Sequence, residues 1–188
     1  MSEKNLNSGI VAYHTTMSLD GFIAGPDGDM SWIFEYEYPN NLINQIISNL
    51  GCLIVGRNSY NVGKNSSTEE TSKAYGGAWV GPELILTHNP PNDEKDPNKF
   101  FFNGTIKEAI AKAKILANGK NVHIIGANIA KQCLKEGLLD EILIQLVPIL
   151  LGNGVRLYEE TGLNYVHLEP LKVDYVNQIT TLLFQVKP

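Results

Sequence analysis

The sequence predicts an α/β protein with three layers: a mainly parallel central sheet, antiparallel strands at its C-terminal edge, and helices on both faces. Two patterns predict the arrangement. From Ile10 to Gly137, short β-branched or apolar runs alternate with amphipathic segments, the rhythm of β-helix-β units. From Asp140 onward the chain reads as a succession of strands, which suits antiparallel pairing at one edge. A third observation fixes the scale. The 188 residues, 43% apolar and 19% charged, match one globular domain. It is expected to span residues 8–188, with residues 1–7 a polar tail.

The elements follow in order. Ile10 to Met17 (IVAYHTTM) is a first strand, rich in β-branched and aromatic residues. The next stretch, SLDGFIAGPDGDMSW, holds three glycines, three aspartates and a proline, and reads as an elaborate functional loop. Pro39 to Leu50 is a helix with an apolar stripe of Leu42, Ile43, Ile46, Ile47 and Leu50. Pro39 suits its first position and Gly51 its stop. Cys52 to Val55 is a short buried strand. Asn65 to Lys73 is polar and reads as a mobile surface loop. Glu83 to Thr87 and Phe100 to Phe102 are strands. Thr105 and Glu108 form a capping box that opens a helix running to about Asn118. Asn121 to Ile125 is a strand, and a helix follows from about Ile129 to Glu136. Asp140 to Leu150, Tyr165 to Val176 and Ile179 to Val186 are the closing strands, with a turn or bulge at Gly152-Asn153-Gly154.

Composition excludes several functions. A net charge of −5 repels a nucleic-acid backbone. The segment MSEKNLNSG has no apolar core, so it is not a signal peptide, and the longest apolar run, Ile142 to Leu151, is too short to span a bilayer. Cys52 and Cys133 sit in apolar segments without a CxxC or Cys/His cluster, so no metal is expected and a reducing compartment is. The expected location is cytoplasmic.

The chemical signal recurs at the ends of strands. Gly56-Arg57, Thr87-His88 and Gly126-Ala127-Asn128-Ile129 each follow a buried strand. In open α/β sheets ligands lie at the carboxyl ends of strands, and a helix N-terminus there suits a pyrophosphate. Gly126 either seats such a group or simply permits a tight turn. Arg57 is either a bidentate phosphate ligand or a solvated surface arginine. His88 and Lys64 are weaker candidates for the same phosphate. Asp20 is either a turn residue or a carboxylate for anchoring substrate and assisting proton transfer. Trp32 is either a cleft wall or a core residue. Glu35, Tyr36 and Glu37 lie just beyond that loop. Neither GxGxxG nor GxxxxGK[ST] is present.

Four stretches together resemble the dihydrofolate reductase-like superfamily, in the branch that includes the C-terminal reductase domain of riboflavin-biosynthesis proteins. They are Ser18 to Ala24 continuing through Met30-Ser31-Trp32, then Val55 to Tyr60, Leu86 to Pro90, and Ile124 to Leu157. The resemblance implies an oxidoreductase that uses NADPH to deliver hydride to an imine or masked aldehyde. Its substrate would be a small heterocycle of the 5-amino-6-(5-phosphoribosylamino)uracil type. Asp20 would be catalytic, with Thr16, Asp20 and Trp32 on the substrate. Thr15, Ile23 and Ala24 would lie by the nicotinamide, and Arg57 would take the 2′-phosphate. Gly56, Asn58 and Ser59 would line the phosphates at the helix start, Thr87 and His88 the adenosine, and Gly126, Ala127, Asn128 and Ile129 the pyrophosphate. In the family that last turn often holds a cis peptide between two glycines; here the second is Ala127, and a cis bond would cost about 3 kcal/mol. Dihydrofolate reductases proper carry an acid early in the helix after the loop tryptophan, where this chain has Asn40, Asn41 and Leu42. Dihydrofolate reduction, and a non-catalytic NADP-binding or sensing role, stand as alternatives. The resemblance also allows a homodimer through the late strands, with Ile142, Ile144 and Leu146 as its apolar face. No deaminase-type zinc motif is present, which suits a stand-alone reductase.

Overall fold

The computed structural model describes residues 9–38, 40–66, 72–160 and 165–187. Along the chain come β1 (Val11–Ser18), β2 (Phe22–Ala24), α1 (Asn40–Asn49), β3 (Leu50–Gly56), α2 (Arg57–Asn65), β4 (Glu83–Leu86) and β5 (Lys99–Phe102). Then follow α3 (Ile106–Ala117), β6 (Asn121–Ile125), α4 (Ala127–Lys135), β7 (Glu141–Val147), β8 (Val155–Arg156), β9 (Leu168–Val176) and β10 (Ile179–Val186). Eight strands form one sheet in the order β5-β4-β3-β6-β1-β7-β10-β9, and β2 and β8 make a separate pair. The pairings from β5 across to β7 are all parallel. β10 runs antiparallel to β7 and to β9. This is the mainly parallel sheet with an antiparallel C-terminal edge that the sequence predicts. No helix among the described residues is long and apolar enough to cross a membrane.

Strand alternation sends side chains to two faces. Cys52 and Ile54 of β3 join Leu84, Val122, Ile124, Ile142 and Ile144 on one face. There α3 and α4 cover them with Ala109, Ile110, Ala113, Ile129 and Cys133. Each fully buried Leu, Ile or Val contributes roughly 1.5–3 kcal/mol, so this face supplies most of the hydrophobic stabilisation. Leu53, Val55 and Ile85 point to the other face and pack with Tyr60, Trp79 and Ile47 of α1.

Some boundaries differ from the sequence reading. Gly51 is not a helix stop, because the chain enters β3 at Leu50, which pairs with Asn121. The register shifts at this point, and a Cβ on Gly51 would meet the carbonyl oxygen of Ala117 at 2.4 Å. Glycine is there to let α3 approach. Pro39 and residues 67–71 of the expected surface loop lie outside the described residues. The strand at Asp140 to Leu150 is shorter, Glu141–Val147, and the Tyr165 strand begins at Leu168. The capping box of α3 is formed in both directions, and Asn118 ends the helix in a left-handed conformation. β9 and β10 join through Asn177 and Gln178, both at positive φ, the backbone of a tight two-residue hairpin.

The apolar face expected on β7 is not available to a partner. Ile142 and Ile144 are buried in the core and Leu146 packs against it. Exposed apolar side chains appear two strands further out, on the edge strand β9, where Val173 and Tyr175 are 65% and 69% exposed.

On the face opposite α3 and α4, the middle of the sheet is polar. His14 of β1 and His123 of β6 flank the hydroxyl of Tyr75, at 3.1 Å and 3.0 Å from their Nδ1 atoms. Nε2 of His14 lies 3.1 Å from Oε1 of Gln145 on β7. Burial pushes the histidines down, His14 to about 4 and His123 to about 3, the latter helped by the neighbouring His14. The unfolded chain titrates these groups at about 6.5. As the pH falls below about 6.5 the unfolded chain takes up protons that the fold refuses, so stability present above that pH is lost down to about pH 4. Asp20 and Glu94, both held at about 2, withdraw their contributions only below about pH 4. Urea unfolding midpoints are therefore expected to drop between about pH 7 and 5, with the drop flattened in His14→Phe and His123→Phe. A wild-type midpoint that holds steady across that range would show that these rings titrate as if solvated.

Candidate functional site

Parallel strands end on one edge. The neighbouring tips of β4, β3 and β6 therefore bring Thr87-His88, Gly56-Arg57 and Gly126-Ala127 side by side, while β1 runs on past its last pair with β6, Tyr13 with Ile124, to Ser18. Two helices spring from adjacent tips, α2 from β3 and α4 from β6. Their first turns touch: a Cβ on Gly126 would lie 3.4 Å from Oγ of Ser59, and one on Gly56 would lie 3.5 Å from the Ile129 side chain. Gly126 holds φ at 116°, a conformation that glycine adopts at little cost. The Gly126–Ala127 peptide is trans.

Neither helix has a side-chain N-cap, since glycine stands at both cap positions. α3, by contrast, is closed by its capping box. Glycine in place of Ser or Asp at an N-cap costs only a few tenths of a kcal/mol, so the two bare ends are inexpensive. What they present is a pair of backbone N–H arrays and two converging positive helix dipoles.

Arg57 opens α2 beside this cradle. Its Nη1 donates to the carbonyl oxygen of Asn89 at 2.9 Å, and its guanidinium lies 5.3 Å from the centre of the Tyr60 ring. The Tyr60 hydroxyl donates to Glu94 at 2.7 Å. That bond is the main reason the Glu94 carboxyl sits at about 2, while burial and Glu94 push the Tyr60 phenol up to about 12. Arg57 is thus positioned by one bond and one ring, leaving most of its fork available. Lys64 is paired with Asp93 at 3.1 Å, which weakens it as a phosphate ligand. His88 is exposed, with Nδ1 2.7 Å from Oδ1 of Asn103. Thr87 accepts from the backbone N–H of Asn89 at 3.2 Å.

Several expected site residues play other parts. The Asp20 carboxylate accepts from the Ser18 hydroxyl at 2.6 Å and from the backbone N–H groups of Gly152 and Leu151 at 2.7 Å and 3.1 Å. These bonds, led by Ser18, hold it at about 2. The same bonds tie the loop after β1 to the loop that follows β7. Ile23 and Ala24 do not lie on an open loop: both are buried in β2, which pairs with β8. Only glycine fits at position 154, where a Cβ would meet the Ala24 carbonyl oxygen. The Ile129 side chain is core, so only its backbone N–H can face a ligand. Asn128 is exposed and accepts from Gln132 at 3.2 Å.

Thr15 and Thr16 point to opposite faces of β1. The hydroxyl of Thr16 donates to that of Tyr38 at 3.2 Å, and that of Thr15 donates to the Thr16 carbonyl. Trp32 is buried with Val147 and Ile179, with Nε1 donating to the Asp29 carbonyl at 3.3 Å. It is a core residue beneath the tips of β7 and β10. Glu37 and Tyr38 border a groove of about 700 Å³ with Asn41, Gln45, Lys172 and Asp174. Glu35 and Tyr36 line a smaller hollow beside it with Asn177 and Gln178.

The group that the sequence reading passed over is His14, Tyr75, His123 and Gln145. The signal was present: a histidine or glutamine inside an otherwise apolar run such as EILIQLV puts a polar atom on a buried face.

Comparison with known proteins places this geometry. The uncharacterized protein YwjB of Bacillus subtilis (strain 168) is 27% identical over 149 residues, covering 78% of this chain and 81% of YwjB. A crystal structure from Shewanella sp. PV-4, of a protein named for riboflavin biosynthesis, superposes with a TM-score of 0.77 at 23% identity, covering 95% of this chain and 99% of that one. The diaminohydroxyphosphoribosylaminopyrimidine deaminase/5-amino-6-(5-phosphoribosylamino)uracil reductase of Thermotoga maritima superposes at 0.68 and 12% identity, covering 96% of this chain and 57% of that one. The sequence model of the RibD C-terminal domain matches residues 10–181, and the chain belongs to that family.

Proposed function

We propose that the protein is an NADPH-dependent reductase acting on a planar pyrimidine of the 5-amino-6-(5-phosphoribosylamino)uracil class. One observation carries this reading: two glycine-headed helix N-termini touch at neighbouring strand tips, with Arg57 beside them. The residues present fit the dinucleotide. The first turns of α2 and α4 would hold the pyrophosphate through their N–H groups, and Arg57 would take the 2′-phosphate with the free part of its fork. Thr87 and His88 stand at the next tip for the adenosine, and Thr15, on β1 beside the end of β6, for the ring end. When bound, the cofactor supplies the hydride.

The protein's own part is orientation. Asp20, held as an anion, fixes the loop that carries Trp32 against the loop that follows β7. The proton then comes from solvent rather than from that carboxylate. Dihydrofolate is the weaker substrate, because α1 (NNLINQIISN) has no acid with which to grip a pterin.

Arg57→Ala is expected to weaken NADPH roughly ten- to a hundredfold while barely changing NADH. Gly126→Val, which forces a side chain into a left-handed backbone beside Ser59, is expected to weaken both coenzymes alike. Fluorescence titration with each coenzyme checks both, and equal losses of NADPH and NADH in Arg57→Ala would count against the phosphate assignment. The exposed apolar face of β9 supports a homodimer. Sedimentation of the wild type is expected to show a dimer that Val173→Glu converts to monomer; a monomeric wild type at micromolar concentration would refute that assembly.

A further inference from the structure

The polar chain on the sheet face has a direction. The Tyr75 hydroxyl has one proton and lies between two imidazole nitrogens, at 3.1 Å and 3.0 Å. One ring must therefore accept from it and the other donate to it. His14 faces an acceptor, Oε1 of Gln145, at its Nε2, so a neutral His14 carries its proton there and accepts at Nδ1. His123 then donates from Nδ1. Donors run one way, from His123 through Tyr75 and His14 to Gln145. The chain ends on the Gln145 amide nitrogen, which has no partner although the residue is only 3% exposed.

A core would not end such a chain on an unpaired donor, because the loss of a buried hydrogen bond is uncompensated. The position of Gln145 says what it is for. It stands beside Thr16 of β1 and Thr181 of β10 in the sheet register. It lies two residues short of the β7 tip, about 7 Å below the edge. The ring of Tyr75 lies beside that of His14, with centroids 5.5 Å apart and planes tilted by 32°.

We propose that Gln145 is a specificity-determining residue whose amide N–H donates to a carbonyl oxygen of a pyrimidinedione ring lying over Thr16. His14 is its positioning residue, since the His14 N–H holds the amide oxygen and so turns the nitrogen toward the ligand. The inference rests on the reductase reading above and names the feature of the substrate that the site selects.

The test uses two related rings: 5,6-diaminouracil, whose two carbonyls can accept from this donor, and 2,4,5,6-tetraaminopyrimidine, which carries amines in their place and unprotonated ring nitrogens. Both are titrated calorimetrically at pH 8 into the full chain saturated with NADP⁺. The wild type is expected to prefer the dione by about tenfold or more. Gln145→Met should bring the two affinities within about twofold, and Gln145→Glu should reverse the order. His14→Phe, which frees the amide to turn, should erode the preference while NADPH affinity stays unchanged, a result that mere loss of packing would not give. Thermal melts confirm that each variant is folded. A wild-type preference for the tetraamine, or a dione preference that survives in Gln145→Met, overturns the proposal while retained NADPH binding leaves the reductase reading standing. Failure of the wild type to bind NADPH removes that reading, and this inference with it.

Discussion

The adjacency of β3 and β6 is the constraint on which the site depends. The two strands are far apart in sequence, yet Ile54 pairs with Ile124 and Val55 with Ile125, so they finish level. A strand slipped by one residue would turn its buried side chains to the wrong face. Here the register is locked on both sides by Leu53 and Val55 on one face and Cys52 and Ile54 on the other. Because the strands end together, α2 and α4 begin together. Their first turns meet at the two cap glycines, where Gly126 also takes a φ of 116° that other residues rarely adopt. The level start of the two helices is therefore a consequence of core packing on the strands just below it.

The opposite half of the edge is organised by a different balance. A buried amide donor without a partner costs about 1–3 kcal/mol, about as much as burying one aliphatic side chain contributes. The strip of His14, His123, Gln145 and Thr16 sits between two apolar clusters. Replacing it with Leu or Val would strengthen the sheet. Retaining it places polar groups in the middle of the sheet face, which is where sequence and fold disagree most openly. Such disagreement is expected at functional positions.

How much could be read beforehand follows from how local each signal is. The capping box at Thr105 and Glu108, the strand Ile179 to Val186 and the glycine-to-helix step at Gly126 are encoded within a few residues, and each forms where the sequence places it. Arg57 and Gly126 were legible as single residues, but their proximity was not, because it depends on strand order. β2 and β8, three and two residues long, carry no periodic pattern and exist only because Gly154 lets two backbones meet. Gly51 looked like a helix stop because its true neighbour, Ala117, is distant in sequence. The polar chain was overlooked for the same reason: each of its members looks like an isolated exception in its own strand.

Asp20 shows what residue type alone leaves out. A carboxylate at a strand end suggests acid catalysis; the bonds it accepts show in addition a tie between two loops. Three donors converge on it, two from the loop that follows β7. The same two loops are tied again where Leu19 donates to the Ile149 carbonyl, and Leu157 to that of Gly21. Arg156 closes the seam with its guanidinium 4.5 Å from the centre of the Phe22 ring. The loops beyond β1 and β7 therefore behave as one body, hinged on a charged group that must remain ionised to hold them. Protonating Asp20 would weaken those bonds, so the ionised carboxylate is what keeps the two loops together.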